Sequence, residues 1–307
     1  MRIAVIDMGT NSLRIEVFEC KGQVSEKIYR ESLMPRLGSG LTETQLLNRN
    51  GKLQILQALT NFAKKSRELE VDTYLAVGTS ALREAKDAQE FVKEIKNQTE
   101  IELEIISGED EAYLTALGII ANDTNLALYE KKRILVIDVG GGSTELSLYE
   151  NGEIISPVSV PIGAVKSSQR ILDSSPPSKQ AVTKLKAEIH KLLSELPSDY
   201  LSIPPAIAFC SSGTARTLEK VPFMKGTREG EFTLENLVYF VSHISNLDLR
   251  QIEEIPGIDR NRSDIILSGS LILQEVMQYF KIQKFRVSLF SLRHGLLEKI
   301  WAASRKS

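Results

Sequence analysis

Cysteine and histidine are scarce in this chain of 307 residues, which has two cysteines, Cys20 and Cys210, and three histidines. None of them has the spacing of metal ligands, so the sequence argues against a zinc cluster and against a disulfide framework. This scarcity also favours a reducing compartment. Because Cys210 ends an apolar run, we interpret it as core packing rather than as a nucleophile.

A long hydrophobic run and a strong net charge are absent too. No run of about 18 apolar residues occurs, and the chain opens with a strand pattern rather than a signal peptide. The net charge of −2 gives no indication of a DNA or membrane partner. We therefore expect a cytoplasmic protein, and the length suits two domains of roughly 150 residues each.

What the chain does contain is one stretch that occurs twice. Residues 2–19, RIAVIDMGTNSLRIEVFE, align without a gap with residues 133–150, RILVIDVGGGSTELSLYE, and eight of the eighteen positions are identical. Each copy has an apolar run that ends in Asp, then a turn of small residues with hydroxyl groups, then an alternating run. This pattern predicts strand, tight turn and strand, so the sequence indicates a duplicated hairpin.

Each copy of the repeat has the residue types that a phosphate-binding turn requires. Glycines let successive backbone N–H groups converge on phosphate oxygens, and short hydroxyl and amide side chains add donors. Asp7 and Asp138 end buried strands and are placed to hold a hydrated Mg²⁺ against the same phosphates. The alternative is a pair of ordinary hairpins in which glycine and asparagine only satisfy turn geometry. The match in both copies favours phosphate binding.

Three other segments could carry chemistry. Gly78, Thr79 and Ser80 follow a strand and open a helix, with Arg83 one turn further on; this is an anion site or a capped helix with a surface arginine. An acidic helix start follows Ser107 and includes Glu111, which either complements the helix dipole or directs a carboxylate at a phosphate. The sequence SSGT at 211–214 is a third turn of this type that opens a helix.

Eight motifs, in order and over nearly the whole chain, resemble the exopolyphosphatase and guanosine pentaphosphate phosphohydrolase family. They are DMGTNSLRI, GTSALREA, SGEDEA, IDVGGGSTEL, PIGAVK, SSGT, PGIDRNRSDII and SLRHG. The resemblance implies an α/β fold with two actin-like (ribonuclease H-like) domains of the actin, hexokinase and Hsp70 superfamily around an interdomain cleft. We expect one domain at 1–121 together with the C-terminal helix at 294–307, and the other at 122–293.

The resemblance also implies roles for individual residues. Glu111 matches the base that activates the attacking water, Glu145 matches a residue linked to Mg²⁺ and the water, and Asp7 and Asp138 match metal-proximal aspartates. Positions expected to contact substrate phosphates are Gly9, Thr10, Asn11, Ser12, Arg14, Arg83, Gly140, Gly141, Gly142, Ser143, Thr144, Ser212, Gly213 and Thr214. The implied reaction is in-line attack of water on a terminal phosphoryl group, with Mg²⁺ or another divalent cation as cofactor.

Two departures from the family pattern accompany the match. The family commonly has an acidic residue after the serine of its last motif, where this chain has Leu289. The residues up to Ser307 resemble the short two-domain form, without the extra helical domains of longer members.

Several alternatives remain open on the sequence. The substrate is inorganic polyphosphate or guanosine pentaphosphate, and a homodimer is plausible for the family. An actin-fold kinase shares hairpins with Asp and Gly. The third hypothesis is a catalytically weak regulatory protein that binds guanosine tetraphosphate or polyphosphate. The loss of the acidic residue near Leu289 supports it.

Overall fold

The computed structural model of the protein describes residues 1–304 with the exception of 23, 130, 173 and 225–229. The chain forms two compact units, Met1–Ala121 with Leu292–Ser307 as unit 1, and Asn122–Ser291 as unit 2. The C-terminal segment of unit 1 thus starts two residues before the position expected from the sequence, and residues 305–307 lie outside the described part. Among the described residues, no helix combines the length and apolar character needed to cross a membrane.

Unit 1 is built on a five-stranded sheet with the order β3-β2-β1-β4-β5. Strands β1, β2 and β3 form an antiparallel meander, while β4 and β5 are parallel to β1. The strands are β1 Arg2–Met8, β2 Leu13–Lys21, β3 Val24–Leu33, β4 Thr73–Gly78 and β5 Leu103–Ile105. The helices are α1 Leu41–Thr44, α2 Arg49–Glu68, α3 Ser80–Glu84, α4 Ala88–Thr99, α5 Gly108–Asn122 and, at the C-terminus, α13 Leu292–Ser304.

The central strand β1 is apolar on both faces because helices cover both sides of the sheet. Ile6 belongs to a core with Phe62 of α2, and Val5 on the other face belongs to a core with Trp301 of α13. A strand buried on both faces reads as a continuous apolar run rather than an alternating one. This explains why the run before Asp7 predicts a strand but shows no alternation.

Unit 2 repeats the plan on a six-stranded sheet with the order β10-β11-β9-β6-β7-β8. Strands β6, β7 and β8 form the meander, and β9 is parallel to β6. The strands are β6 Ile134–Val139, β7 Thr144–Glu150, β8 Glu153–Val160, β9 Ile207–Cys210, β10 Glu231–Thr233 and β11 Lys284–Val287. The helices are α6 Ala164–Arg170, α7 Lys179–Ser194, α8 Asp199–Ser202, α9 Gly213–Lys220, α10 Leu234–Ile244, α11 Leu249–Glu253 and α12 Ser263–Tyr279, with 3₁₀ turns at Thr124–Tyr129 and Arg260–Arg262.

The predicted duplicated hairpin is confirmed, and the two copies have the same hydrogen bonding. In unit 1 the N–H of Gly9 donates to the Ser12 carbonyl at 2.9 Å, and in unit 2 the N–H of Gly140 donates to the Ser143 carbonyl at 2.9 Å. The strand register is equivalent as well: each aspartate faces a residue seven positions later, Arg14 for Asp7 and Glu145 for Asp138.

Both cysteines are buried and free. Cys210 lies in the core of unit 2, where burial raises the pKa of its thiol far above the ordinary range. A thiol that resists ionisation is a poor nucleophile. The interpretation of Cys210 as core packing is therefore confirmed.

Candidate phosphate-binding and catalytic site

The predicted motifs of unit 1 meet at one edge of its sheet. Because β1, β4 and β5 run parallel, their carboxyl ends lie side by side, and each end leads into one motif. The N–H of Thr79 donates to the Met8 carbonyl at 3.1 Å, which joins the second turn to the first. The N–H of Ile106 donates to Gly78 at 3.1 Å, which joins the start of the acidic helix to the second turn.

The side chain of Asn11 has a buried hydrogen-bond donor at the first turn. The residue is 8% exposed, and its Nδ2 has no hydrogen-bond partner among the described residues. A buried donor without an acceptor costs about 1–3 kcal/mol, and native proteins keep few of them. An anionic oxygen at the Gly9–Ser12 turn would satisfy this amide.

A loop at 35–41, which we did not predict as part of the site, covers the same turn. The N–H of Gly38 donates to the Thr10 carbonyl at 2.9 Å, and the N–H of Arg36 donates to the Asn11 carbonyl at 3.2 Å. A Cβ on Gly38 would collide with the Thr10 side chain, so glycine is required for this approach. Arg36 itself has a φ of 52°, a left-handed conformation that is strained for a non-glycine residue.

The acidic start of α5 divides its carboxylates between two tasks. Asp110 accepts a hydrogen bond from the Ser107 hydroxyl at 2.8 Å, and the Asp110 N–H donates back to the Ser107 oxygen at 3.0 Å. Asp110 thus serves the cap of the helix. Glu111 instead accepts a 2.7 Å hydrogen bond from Nη1 of Arg83, and both side chains are mostly buried. The structure therefore brings the predicted base and a predicted phosphate ligand into direct contact.

Asp7 also has an arginine partner. Its Oδ2 accepts a hydrogen bond of 3.1 Å from Nη1 of Arg293 and lies 3.8 Å from Nη1 of Arg14, its neighbour across the hairpin. Arg293 belongs to the SLRHG motif, for which the sequence offered no role. An arginine so far along the chain from Asp7 leaves no local pattern that would reveal the contact.

In unit 2, the glycine turn at 140–142 is held closely by the PIGAV segment. The N–H groups of Ala164 and Val165 donate to the carbonyls of Gly140 and Gly141, both at 2.9 Å. A Cβ on Gly163 would lie 2.5 Å from backbone atoms of Gly141, so any side chain at this position would displace the turn. The first amides of α6 are thus used to fix the turn.

The hydroxyl groups beside this turn bond to protein acceptors. Ser143 Oγ donates to Glu145 Oε1 at 2.6 Å, and Ser159 Oγ of β8 donates to the same oxygen at 2.8 Å. Thr144 Oγ1 donates to the Ile162 carbonyl at 2.6 Å. The phosphate contacts of Ser143 and Thr144 stay predictions; in the structure their hydroxyls bond to the Glu145 carboxylate and to the Ile162 carbonyl.

Asp138 and Glu145 fit a divalent cation better than Asp7 does. They face each other across β6 and β7, and a Cβ on Gly140 would lie 3.7 Å from Glu145 Oε2, so this carboxylate borders the glycine turn. Within the described ranges no three Asp, Glu, His or Cys side chains form a metal-binding group. Mg²⁺ commonly takes only one or two protein carboxylates and fills its octahedron with water and substrate phosphates. A pair of hard oxygen donors therefore suits it.

The SSGT turn lies on the neighbouring strand. Because β9 is parallel to β6, Ser211 follows at the same edge, and its N–H donates to the Ile137 carbonyl at 3.2 Å. Ser212 caps α9 by accepting from the Ala215 N–H at 3.0 Å. The guanidinium of Arg262 covers Gly213, where a Cβ would collide with it. Arg262 was not predicted as a site residue, although it lies in one of the eight motifs.

The position of the missing acidic residue is a surface loop. Leu289 is 67% exposed, and its carbonyl accepts a hydrogen bond of 3.0 Å from Nη2 of Arg216 in α9. The Leu289 carbonyl thus accepts a hydrogen bond from Arg216 at the position where the family pattern has an acidic side chain.

Comparison with known proteins identifies the family of the chain. The sequence model of the Ppx/GppA phosphatase family matches residues 17–302, so the chain belongs to that family. Exopolyphosphatase 1 of Mycobacterium tuberculosis is 26% identical over 304 residues, which cover 97% of this chain and 87% of the relative. A putative exopolyphosphatase of Haemophilus influenzae is 27% identical over 297 residues, which cover 96% of this chain and 90% of that protein.

Solved structures show the same fold. A Ppx/GppA family member from Aquifex aeolicus has a TM-score of 0.81 at 24% identity and covers 100% of this chain and 99% of its own. An exopolyphosphatase from Cytophaga hutchinsonii has a TM-score of 0.87 at 23% identity and covers 99% of this chain and 98% of its own. The predicted α/β fold class with two actin-like domains is confirmed.

Proposed function

We propose that the protein is a divalent-cation-dependent phosphoanhydride hydrolase that releases terminal phosphate from inorganic polyphosphate. Family membership and the exopolyphosphatases among its relatives support the reaction class. The observation that carries the proposal is the Glu111–Arg83 contact of 2.7 Å, at the sheet edge where the Gly9–Ser12 turn also lies. A carboxylate and a guanidinium thus lie at the same sheet edge as a turn with an unsatisfied amide donor, which supports the proposal.

The residues of unit 1 would act in sequence as the substrate arrives. The terminal phosphoryl group accepts hydrogen bonds from the Asn11 amide and from the turn, and its negative charge attracts the Arg83 guanidinium. As Arg83 turns to the phosphate, its hydrogen bond to Glu111 breaks, and the carboxylate takes a proton from water. Water then attacks phosphorus in line with the leaving oxygen, and a proton of the water moves to Glu111. The phosphoanhydride bond breaks, and the shortened phosphate chain leaves with the bonding electron pair.

In unit 2, Asp138 and Glu145 would hold the cation, with Glu145 oriented by Ser143 and Ser159. Bound there, Mg²⁺ would neutralise charge on phosphate oxygens as it does in other phosphoryl-transfer enzymes. The glycine turn at 140–142, fixed by α6, presents backbone without side chains to an anion.

The proposed phosphate-binding groups would contact only the terminal part of a phosphate chain. We therefore extend the proposal to guanosine pentaphosphate, which also ends in a phosphoanhydride. The test is phosphate release from long-chain polyphosphate and from guanosine pentaphosphate in parallel, with Mg²⁺ and no acceptor. We expect turnover of polyphosphate. Shortening of polyphosphate only when an acceptor is added, with the phosphoryl group recovered on the acceptor and not as free phosphate, would show a kinase. Binding without any turnover would show a regulatory protein.

The residue assignment is tested with Glu111→Gln, which we expect to lower kcat by about 100-fold or more, the usual size of a general-base contribution. The matched control is Glu109→Gln, because Glu109 lies in the same helical turn but is exposed. Turnover by Glu111→Gln within about threefold of the parent would contradict the role of Glu111.

A further inference from the structure

Arg293 is the largest side chain that is fully buried among the described residues. It lies in the first turn of α13, with 2% of its side chain exposed. Its Nε donates to Glu16 Oε2 at 3.0 Å and its Nη1 donates to Asp7 Oδ2 at 3.1 Å. A guanidinium is retained in such a place only when carboxylates compensate for its lost hydration.

The two carboxylates lie on one face of the first hairpin, together with other cations. Glu16 lies 3.2 Å from the Lys27 ammonium and 3.9 Å from Nε of Arg30, and Asp7 lies 3.8 Å from Arg14. We call these two carboxylates, with Arg293 and the three other cations, the Arg293 cluster. Four cationic side chains contact two carboxylates, so the cluster as a whole carries positive charge.

The second hairpin differs at the equivalent positions. The register that places Arg14 opposite Asp7 places Glu145 opposite Asp138, and the position of Glu16 is taken by Ser147. One aspartate thus faces a guanidinium and the other faces a second carboxylate. A divalent cation is attracted to the pair at Asp138 and Glu145, whereas the Arg293 cluster repels it and attracts anions.

We propose that Arg293 is a positioning residue for Asp7. Its guanidinium holds the Asp7 carboxylate at the base of the Gly9–Ser12 turn, so the counter-ion of Asp7 is an arginine and the divalent cation belongs to Asp138 and Glu145. The inference rests on the proposed function, because it divides the predicted metal-proximal aspartates between two tasks. The fork of an arginine can bond two carboxylates at fixed angles, which an ammonium group cannot.

The helix that carries Arg293 also touches the helix that carries Glu111. A Cβ on Gly295 would collide with the backbone of Leu114 in α5, so α13 and α5 pack at backbone distance. One rigid element thereby sets the place of Asp7 through Arg293 and of α5 through Gly295. Displacement of a catalytic group by one ångström can lower the rate by a large factor, so the packing of α13 matters for catalysis.

The first arm of the test uses Mn²⁺ alone as probe, with the free ion followed by electron paramagnetic resonance. We expect Asp138→Asn to weaken Mn²⁺ binding by about tenfold or more, and Asp7→Asn to change it by less than about threefold. An equal loss in both variants would overturn the inference, as would an unchanged affinity in Asp138→Asn.

The second arm is a kinetic cycle on polyphosphate with Asp7→Asn, Arg293→Met and the double variant. If Arg293 acts through Asp7, each single variant lowers kcat/KM by a similar factor and the double variant is lower than either by no more than about threefold. If the fold-loss of kcat/KM in the double variant equals the product of the two single losses, the inference is overturned. Arg293→Lys, which retains the charge without the fork, should recover part of the loss, and no recovery would count against a positioning role.

The control for general destabilisation is Arg133→Met. Arg133 is another buried arginine, but it bonds Ser202, the Ile203 carbonyl and Glu150 at the opposite end of the second hairpin. The Arg133→Met substitution should lower the Tm, while kcat/KM stays within about threefold of the wild-type value. If Arg293→Met does not fold, the cycle is run with Arg293→Lys, which keeps the buried charge, while the Mn²⁺ comparison tests only which aspartate holds the cation. Absence of polyphosphate turnover in the wild type would refute the proposed function but leave the Mn²⁺ result interpretable.

Discussion

Glu111 Oε2 lies 2.7 Å from Nη1 of Arg83, so the proposed base and the proposed phosphate ligand of unit 1 neutralise each other. In the proposed function, both groups act only after this contact is exchanged for the substrate phosphate. An arriving phosphoryl group offers Arg83 a stronger, doubly charged partner, and the exchange releases the carboxylate. In the proposed mechanism this contact would delay water activation until substrate occupies the turn, which would link binding to chemistry.

Arg83 variants test this link. We expect Arg83→Met to lower kcat/KM by about 10- to 100-fold, mainly through KM, because a charged hydrogen bond to phosphate is worth about 1.5–3 kcal/mol. The kcat/KM of Arg83→Lys should lie between that of Arg83→Met and that of the wild type. Steady-state phosphate release checks this, with Arg67→Met as the control, since Arg67 is an exposed residue at the end of α2. A KM unchanged by Arg83→Met would contradict phosphate binding by Arg83.

Ser159 provides a test of the cation site that leaves both carboxylates in place. Its hydroxyl donates to Glu145 Oε1, so Ser159→Ala removes one of the two serine hydrogen bonds that orient this carboxylate. Removal of such an outer hydrogen bond commonly weakens metal binding by about 10- to 100-fold. We expect EDTA to abolish turnover, excess Mg²⁺ to restore it, and Ser159→Ala to raise the Mg²⁺ concentration for half-maximal rate by about tenfold.

The control for this experiment lies on the same strand. Ser156 also donates to a carboxylate, that of Asp199, but it is remote from the glycine turn in sequence and register. Ser156→Ala should leave the Mg²⁺ requirement unchanged. Full activity of the wild type in excess EDTA would contradict the proposed cofactor.

The sequence predicted the elements that a local pattern or a repeat can encode. The apolar runs before Asp7 and Asp138 and the small residues after them led to both hairpins, and the alignment of Arg14 with Glu145 already paired the residues that the structure places in equivalent register. These features depend on a few neighbouring residues and on strand periodicity.

Contacts between distant segments could not be predicted in this way. The bond from Arg293 to Asp7 spans 286 positions, and Arg83 reaches Glu111 across 28. No spacing rule connects such residues, because the fold alone brings them together. The hydroxyl of Thr144 also shows the limit: the sequence indicates a donor beside a glycine turn, but it does not reveal that the Ile162 carbonyl accepts its hydrogen bond.

Acid should unfold unit 1 partly through Glu16. Burial alone would raise the pKa of Glu16, but the Arg293 guanidinium, assisted by Lys27 and His294, lowers it from 4.5 to about 2. A carboxyl whose folded pKa is depressed stabilises the protein above pH 4.5, and this contribution is lost as the pH falls towards 2. It amounts to at most about 3 kcal/mol.

Glu16→Gln removes the titrating group, so we expect a flatter dependence of the urea midpoint on pH between 4.5 and 2 than in the wild type. Glu26→Gln is the control, as Glu26 is an exposed residue on the neighbouring strand β3. Parallel curves for wild type and Glu16→Gln would show that the Arg293 cluster does not contribute to acid stability.

Gly163 tests whether the turn of unit 2 depends on close backbone packing. A Cβ at this position would lie 2.5 Å from Gly141 and 2.6 Å from Gly142, and backbone atoms cannot yield as a flexible side chain does. Gly163→Ala should therefore cost about 1–3 kcal/mol and displace the turn. Gly9→Ala is the matched comparison, because its Cβ would meet its nearest neighbour, the Ser12 carbonyl, at an ordinary 3.5 Å. We expect the urea midpoint to fall for Gly163→Ala and to stay near the wild-type value for Gly9→Ala; equal midpoints for the two variants would show that the turn tolerates the added methyl group.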